Sequence, residues 1–350
     1  MESLLKEWDG EEVIIRLDRP TGAWIIIAIH QTRFGPARGG TRMKGYPDLE
    51  AALRDALSLA RSMSYKFAVA DFSSGGGKAV VSVPENFQPA DRDDLLRRYG
   101  TLVRQLGGLF ETGPDVGTTS EDMDTIAETG APYIFCRTPA MGGAGGPGRF
   151  TALGVFSGIE AVCEQLFGDE SLAGRRVLVQ GAGAVGGPLI GMLRDAGAEV
   201  LFSDVDQASI RHFRDVLKLP FISTEAAYDT PCDIFSPCAL GAILNKDTIA
   251  RLKCLAVAGG ANNQLAELED AERLHKRGIL YAPDYAMNIG GAMGVIGIEA
   301  VGWSHEKADE QVKAVKGTIR RIFEDAKAEG INPDMMARRI AEARLSDPEG

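Results

Sequence analysis

Two lysines, Lys66 and Lys78, lie twelve positions apart in the first third of the chain, and Lys78 directly follows three glycines. A lysine ammonium resists burial, but partial desolvation and a neighbouring cation destabilise its charged form and lower its pKa toward neutrality. One such lysine could act as a general base while the other binds an anion. The spacing alone fits two solvated lysines beside a turn equally well.

Asp115 is a candidate acid, and it lies in the segment Gly113-Pro114-Asp115-Val116-Gly117. An aspartate in a Pro-Asp turn usually satisfies nearby backbone donors, so the local sequence favours a structural role. The glycines before Lys78 and the pair Gly39-Gly40 would let a substrate approach the backbone closely, because glycine has no side chain.

The hexamer Gly181-Ala182-Gly183-Ala184-Val185-Gly186 matches the GxGxxG dinucleotide fingerprint. It follows an apolar run over 177–179 and opens a helical segment over 188–196. The first glycine can make a tight turn, the second can let the backbone approach a pyrophosphate, and the third can pack helix on strand. We therefore expect a dinucleotide at this helix N-terminus. A glycine-rich turn without a ligand is the structural alternative.

Asp204 ends the next apolar run, about 20 residues after the fingerprint begins, where the motif has an acid that binds the ribose 2′-hydroxyl. A carboxylate there would repel the 2′-phosphate of NADP. The sequence therefore favours NAD.

Length and composition restrict the class of protein. At roughly 150 residues per domain, 350 residues favour two domains. With 38 Lys+Arg against 49 Asp+Glu, the net charge of −11 argues against nucleic-acid and anionic-membrane partners. The 5 cysteines are scattered and the 4 histidines match no catalytic or metal pattern, so we expect neither a disulfide framework nor a metal site. We see no signal peptide and no apolar stretch of about 18 residues, and therefore expect a cytoplasmic protein.

The elements that must position these residues are predicted to be alternating strands and helices. The first part predicts a hairpin of strands over 13–17 and 24–29, and a strand over 78–83. It also predicts a helix that begins after Asp48 and another over 91–106. A glycine-rich stretch over 141–148 is typical of a linker.

Beyond the linker, short apolar runs alternate with helical segments, which is typical of a doubly wound parallel sheet. These runs cover 176–180, 200–203, 233–236, 255–258 and 279–282. A last long helix over 306–327 is expected to lead the chain back to the first domain. The predicted fold is α/β with two domains: a catalytic domain over 1–140, rejoined by about 326–350, and a Rossmann domain over 141–325.

Several segments in the same order resemble the leucine, phenylalanine and valine dehydrogenase branch of the glutamate dehydrogenase superfamily. The resemblance runs from about residue 10 to 345. The segments that carry it are Gly35-Pro36-Ala37-Arg38-Gly39-Gly40-Thr41-Arg42-Met43, Met63-Ser64-Tyr65-Lys66, Gly75-Gly76-Gly77-Lys78, Pro114-Asp115-Val116-Gly117, Cys232-Asp233-Ile234, Pro237-Cys238-Ala239-Leu240-Gly241, Ala261-Asn262-Asn263-Gln264 and Pro283-Asp284-Tyr285.

The resemblance implies reversible, NAD-dependent oxidative deamination of an L-amino acid to its 2-oxo acid and ammonia, in a cleft between the two domains. It implies that Lys66 binds the substrate carboxylate, together with Asn262 and the backbone at Gly39 and Gly40. Lys78 would activate water, with its pKa lowered by Lys66 and by closure about the glycine-rich linker. Asp115 would exchange protons with the amino nitrogen.

The resemblance also implies a set of cofactor contacts. Thr151 and Asn288 would hold the nicotinamide amide. The remaining cofactor-binding residues would be Gly181, Gly183, Ala184, Val185, Gly186, Asp204, Cys238 and Ala239.

Substrate choice stays open between two classes. Arg38 occupies a position that is apolar in leucine dehydrogenase-like enzymes, and a guanidinium pointing into the pocket would favour an acidic substrate. Gly113, Ala292 and Val295, the other expected pocket positions, are small or apolar and suggest room for a bulky uncharged side chain. We favour an apolar or aromatic substrate, with Arg38 turned outward.

Two further function classes carry less weight. A non-catalytic NAD-binding regulator would not need Lys66, Lys78 and Asp115, and a 2-hydroxy acid dehydrogenase would need a histidine acid/base.

The C-terminal segment after Arg344 is shorter than in the octameric leucine dehydrogenases that the chain resembles, which puts an octamer in doubt. We therefore expect a homodimer or a larger homo-oligomer.

Overall fold

The computed structural model describes residues 2–347, and these form two compact units. The first unit comprises the described residues up to Gly146, together with Val295–Gly302 and the stretch from Ala341 onward. The second unit comprises Pro147–Gly294 and Trp303–Ile340. Both are α/β units, as the sequence predicts.

The first unit is built on a mixed five-stranded sheet. Its strands are β1 (Glu12–Asp18), β2 (Ala23–Gln31), β3 (Ala37–Lys44), β4 (Gly75–Ser82) and β5 (Phe110–Pro114). Their order across the sheet is β1-β2-β4-β3-β5, and β3 runs parallel to both of its neighbours. The predicted hairpin is confirmed: β1 and β2 pair antiparallel from Glu12 opposite Ile29 to Asp18 opposite Ala23.

Four helices accompany this sheet: α1 (Glu2–Glu7), α2 (Leu49–Val69), α3 (Arg92–Gln105) and α4 (Ser120–Gly130). Successive side chains of a strand point to opposite faces. On β2, Ile25, Ile27 and Ile29 therefore pack with α3 and α4, whereas Ile26 and Ala28 pack with α2. The expected N-cap of α2 is confirmed, since the Asp48 carboxylate accepts a hydrogen bond of 2.7 Å from the Ala51 amide.

Two strands of the first unit were not predicted. β3 and β5 lie in segments that the sequence suggested were glycine-rich approaches or turns. β4 begins at Gly75, three residues before the predicted strand. The backbone groups of these segments are satisfied by neighbouring strands that are distant in sequence, and this pairing decides their conformation.

The second unit contains a five-stranded parallel sheet. Its strands are β6 (Arg176–Gln180), β7 (Glu199–Ser203), β8 (Ile234–Pro237), β9 (Ala256–Val257) and β10 (Leu280–Tyr281). The order β10-β9-β8-β6-β7 confirms the predicted parallel sheet. After β7, the chain returns to the other side of β6, so a topological switch point lies between β6 and β8.

The helices from Gly148 onward are α5 (Gly148–Phe167), α6 (Gly186–Asp195), α7 (Gln207–Ile210), α8 (Lys246–Arg251), α9 (Glu269–Lys276), α10 (Asp284–Met287), α11 (Gly290–Glu299), α12 (His305–Lys313), α13 (Val315–Glu329) and α14 (Pro333–Ser346). The last long helix predicted from the sequence is divided into α12 and α13. Ala314 between them keeps a helical backbone and donates to the Gln311 carbonyl at 3.1 Å, so the division is one tightened turn.

Helix α5 corrects one expectation. By length and composition alone it is apolar enough to cross a membrane, although the sequence was expected to hold no such segment. Its most apolar window is 67% buried inside the structure, and α5 packs on α6, α12 and α13. Its hydropathy is therefore that of a core helix.

Candidate active site

Four charged residues of the candidate site, Arg38, Arg42, Lys78 and Asp115, lie on or beside the face of the sheet that packs on α2. Val80 of β4 packs with this helix, so Lys78, two residues earlier on the strand, shares its face. Arg38, Gly40 and Arg42 follow one another on the same face of β3, and Asp115 comes directly after β5.

Lys78 is only 5% exposed, and its Nζ lies 3.1 Å from Asp115 Oδ2. Burial lowers the pKa of Lys78 because it disfavours the charged amine. The negative charge of Asp115 opposes this shift, and the positive charge of Arg42 reinforces it. Lys78 therefore loses its proton more readily than a solvated lysine, as a general base requires.

Asp115 accepts a second hydrogen bond on the same oxygen, from Arg42 Nε at 2.7 Å. Burial by itself would raise the pKa of Asp115, but the charges of Lys78 and Arg42 outweigh it and hold this pKa below its ordinary value. The turn after β5 is closed by Thr118, whose hydroxyl accepts from the Asp115 amide at 3.0 Å. The expectation from local sequence, that Asp115 serves its own turn, was wrong.

Lys66 lies near the C-terminal end of α2 and is partly exposed. The structure identifies Arg42 as a cation that lowers the pKa of Lys78. Sequence reasoning assigned that effect to Lys66. The sequence alone does not show that Arg42 lies beside Asp115 and Lys78, because no local pattern relates β3 to the turn after β5.

The glycines of this region serve protein packing. A Cβ on Gly76 would come within 2.2 Å of the Ser64 backbone in α2, and one on Gly39 would come within 1.8 Å of the Gly77 carbonyl. On Gly40 it would meet the Pro114 carbonyl at 2.5 Å. Glycine is therefore required at these positions, because neighbouring backbone fills the space that a side chain would take.

Arg38 neither points outward nor carries an uncompensated charge. It is 7% exposed, and its Nε donates to Glu111 Oε2 at 2.6 Å. Arg38 and Glu111 are direct cross-strand partners on β3 and β5. The guanidinium also lies 3.5 Å from the Ser74 hydroxyl.

The three remaining residues expected to line the substrate pocket differ in their surroundings. Gly113 does not provide open room, because a Cβ there would lie 2.4 Å from the ring of Phe135. Both other residues lie on α11, where Val295 is fully buried and Ala292 is partly exposed. The sequence did not reveal that the buried Phe135 ring packs against Gly113.

The second unit brings the fingerprint residues to the switch point. Gly181 has a φ of +93°, which a glycine adopts readily, and a Cβ there would lie 2.6 Å from Ala239, which follows β8. On Gly186 a Cβ would lie 1.8 Å from the Gly181 carbonyl, so α6 can pack on the loop only with glycine. Around Gly183 a Cβ would meet nothing within 4 Å. The loop, which also holds Ala184 and Val185, therefore keeps open space of the kind that a pyrophosphate needs.

Asp204 follows β7 beside this loop. Its carboxylate accepts hydrogen bonds from the amides of Ala182, at 2.6 Å, Val205, at 2.6 Å, and Asp206, at 2.8 Å. The acid thus orders the glycine loop and places negative charge at the position expected for a ribose-binding residue.

A group of polar side chains fits an amide-bearing ligand. Asn288 donates to Asn262 Oδ1 at 2.8 Å, while its own Oδ1 is buried without a hydrogen-bond partner in the described chain. A buried acceptor without a hydrogen bond lowers the stability of the fold unless a donor reaches it. The NH2 group of a nicotinamide carboxamide is such a donor. Thr151 is buried at the start of α5, and its hydroxyl donates to the Pro147 carbonyl at 3.0 Å. The Cys238 amide donates to the Gln180 carbonyl at 2.7 Å, which ties the ends of β8 and β6 together.

Sequence reasoning missed two charged residues. Arg42 lies in the recognised Gly39-Gly40-Thr41-Arg42 segment but was given no role. Asp55 lies on α2, where its two oxygens accept from Arg42 Nη1 at 3.3 and 3.0 Å. A signal was present, since Asp55 lies among the apolar positions of α2 that pack on the sheet.

Two family descriptions match the chain. Residues 16–131 match "Glu/Leu/Phe/Val dehydrogenase, dimerisation domain", and residues 203–347 match "Glutamate/Leucine/Phenylalanine/Valine dehydrogenase". The chain is 41% identical to leucine dehydrogenase of Thermoactinomyces intermedius over 342 residues, covering 97% of this chain and 92% of that protein. The chain belongs to the Glu/Leu/Phe/Val dehydrogenase family.

Other relatives of this dehydrogenase carry different substrate names. Valine dehydrogenase of Streptomyces virginiae is 43% identical, over 96% of this chain and 94% of the relative. The crystal structure of L-tryptophan dehydrogenase from Nostoc punctiforme has a TM-score of 0.85 and 39% identity, covering 99% of this chain and 98% of that one.

The resemblance seen in the sequence is thus confirmed. The chain is an amino acid dehydrogenase, an oxidoreductase that acts on a CH–NH2 group, and its family uses a nicotinamide cofactor. The match to a dimerisation domain covers most of the first unit.

Proposed function

We propose that this dehydrogenase catalyses the reversible, NAD-dependent oxidative deamination of an L-amino acid with an apolar or aromatic side chain. The reaction converts the amino acid, NAD and water into the 2-oxo acid, ammonium, NADH and a proton. The observation that carries the proposal is the buried ion pair of Lys78 and Asp115, with Nζ and Oδ2 3.1 Å apart. A buried amine whose pKa is lowered, beside a carboxylate, is the arrangement that acid–base catalysis needs.

The candidate residues of the first unit have separate proposed roles. Lys66 and the backbone at Gly39 and Gly40 bind the substrate carboxylate. Neutral Lys78 takes a proton from the water that attacks the substrate carbon, and Asp115 exchanges a proton with the substrate nitrogen. When bound, the nicotinamide supplies the hydride acceptor.

The second unit would hold the cofactor. We propose that Gly181, Gly183 and Gly186 accommodate the pyrophosphate and that Asp204 binds the adenosine ribose, so that NAD is preferred over NADP. Asn288 and Thr151 would receive the nicotinamide carboxamide, and the unpartnered Asn288 Oδ1 supports this assignment.

Arg38 and the relatives support the proposed substrate class. A free guanidinium would recognise a carboxylate side chain, but Glu111 already binds this one at 2.6 Å. The Phe135 ring over Gly113 provides apolar surface. The similarities to leucine, valine and tryptophan dehydrogenases support the same class.

Assembly and location belong to the proposal as well. We infer a homodimer or a larger homo-oligomer, supported by the dimerisation-domain match. We also infer a cytoplasmic enzyme, which agrees with the five free cysteines.

The test is the initial rate of NADH formation at alkaline pH with L-Leu, L-Val, L-Phe, L-Trp, L-Glu and L-Asp. The wild type should act on apolar or aromatic substrates, and Arg38→Leu/Glu111→Leu should keep the same order of substrates. If L-Glu or L-Asp gave the highest rate and the double variant lost that activity, Arg38 would be the residue that binds an acidic side chain. No NADH formation with any substrate in the panel would contradict the proposed reaction on these amino acids.

A further inference from the structure

The Asp115 carboxylate is shared by two cations of different kinds. Lys78 Nζ and Arg42 Nε both bind its Oδ2, at 3.1 and 2.7 Å. In the described part of the chain, this leaves Oδ1 for proton exchange with a substrate. Both cationic side chains and the carboxylate are at least four-fifths buried, so the pairs are weakly screened by water.

The two cations behave differently during a reaction cycle. In the proposed function Lys78 must alternate between its neutral and charged forms. An arginine guanidinium keeps its charge throughout the working pH range. Arg42 therefore holds Asp115 in both protonation states of Lys78, which Lys78 cannot do for itself.

Arg42 is itself anchored from α2. Its Nη1 donates to both oxygens of Asp55, at 3.3 and 3.0 Å, and Asp55 also accepts from the Tyr46 hydroxyl at 2.5 Å. The negative charge of Asp55 compensates the positive charge of Arg42 and fixes the direction of the guanidinium. Asp55, Arg42, Asp115 and Lys78 thus form one chain of alternating charge from the helix to the sheet.

We propose that Arg42, anchored by Asp55, is the positioning residue that keeps the Asp115 carboxylate beside Lys78 while Lys78 gains and loses its proton. The inference rests on the proposed function, because it takes Lys78 and Asp115 as the acid–base pair. Arg42 acts only through them.

The decisive variants are Arg42→Gln, which removes the charge, and Arg42→Lys, which keeps a charge without the forked geometry. With L-leucine and NAD, Arg42→Gln should lower kcat about 100-fold, the lower end of what a positioned acid–base group contributes. The KM for L-leucine should stay nearly unchanged. Arg42→Lys should lower kcat by less.

The pH profile separates positioning from stability. The charged groups that act on Lys78 are Asp115, Arg42 and Asp55, and the positive charge of Arg42 lowers the pKa of Lys78. Without it this pKa rises, so the acidic limb of kcat/KM should move to higher pH in Arg42→Gln and stay in place in Arg42→Lys. Wild-type kcat with an unmoved limb would overturn the inference, and so would a raised KM with unchanged kcat.

Controls keep the outcomes apart. Arg92→Gln removes a comparable ion pair, from Arg92 to Asp122 at 2.8 Å, and should leave kcat unchanged. If Arg42→Gln fails to fold, as thermal unfolding and NADH binding would reveal, Asp55→Asn tests the same anchor. Its loss in kcat should be measurable but smaller than the about 100-fold expected for Arg42→Gln. A wild-type rate in Asp55→Asn would then overturn the inference. Asp115→Asn with wild-type activity would contradict the proposed function itself. An inactive Asp115→Asn beside a fully active Arg42→Gln would overturn only the role of Arg42.

Discussion

Arg38 of β3 and Glu111 of β5 are direct neighbours on adjacent strands and form an ion pair, with Arg38 Nε 2.6 Å from Glu111 Oε2. Their side chains are 9% and 15% exposed, so neither charge is well solvated. Two charged side chains can be buried on this face of the sheet because each charge compensates the other.

This pairing predicts a strong coupling between the two residues. Arg38→Leu or Glu111→Leu alone leaves a buried charge without a partner and should reduce the free energy of unfolding by about 3–5 kcal/mol. The double variant should be far more stable than the sum of the two losses implies. Urea denaturation of the four proteins measures the coupling, and strictly additive losses would show that the pair is not coupled.

Asp204 predicts the coenzyme preference. Asp204→Ser removes the negative charge after β7, so the ratio of kcat/KM for NADP over NAD should increase by one to two powers of ten, or about 1–3 kcal/mol. Loosening of the glycine loop affects both coenzymes and cancels in this ratio. Asp206→Asn is the matched control, since its carboxylate caps α7 through the Ser209 amide at 2.8 Å. An equal change in the control would assign the effect to overall charge.

Two glycines of α6 predict opposite effects on stability. In Gly186→Ala the new Cβ would lie 1.8 Å from the Gly181 carbonyl, so the variant should lose stability and NADH affinity. Gly191→Ala meets nothing within 4 Å and should gain about 0.5–1 kcal/mol from its better helix propensity. Thermal unfolding and NADH titration of both variants check this. Equal behaviour of the two would contradict the packing described for the loop.

The proposed acid–base pair of Lys78 and Asp115 predicts a loss of kcat without a loss of cofactor binding. Lys78→Met and Asp115→Asn should each lower kcat by about 10²–10⁴-fold, because each removes a proton-transfer group. NADH binding should persist, since the proposed cofactor-binding residues lie in the other unit. Lys44→Met, at the exposed end of β3, is the control and should keep the wild-type rate. A loss of NADH binding in Lys78→Met would instead indicate a wider structural change.

Local signals were sufficient for part of the fold. The β1–β2 hairpin has β-branched strands around turn residues, and the β6–α6 loop has a glycine fingerprint between a strand and a helix. In both places the residues that decide the conformation are close in sequence. The predicted elements are therefore observed there.

The strand that carries Arg42 lacks such signals. β3 reads Ala-Arg-Gly-Gly-Thr-Arg-Met-Lys, without the alternation that predicts a strand, and it forms because β4 and β5 pair with both of its edges. Arg42 lies 73 residues from Asp115 in sequence and 13 from Asp55. The resemblance to a family identified Lys78 and Asp115, but only the fold shows the cations and carboxylates that surround them.

The pH dependence of kcat/KM for oxidative deamination of L-leucine tests whether Lys78 is the general base. Burial lowers the pKa of Lys78, and the base works in its neutral form, so activity should fall as the pH decreases through that lowered value. The acidic limb should therefore lie below the ordinary lysine value of about 10.4, and its position belongs to the coupled pair of Lys78 and Asp115. Asp115→Asn removes the charge that opposes the shift, so its residual activity should have a limb at still lower pH. A wild-type limb at or above about 10.4, or one unmoved in Asp115→Asn, would contradict the assignment of Lys78 as the general base.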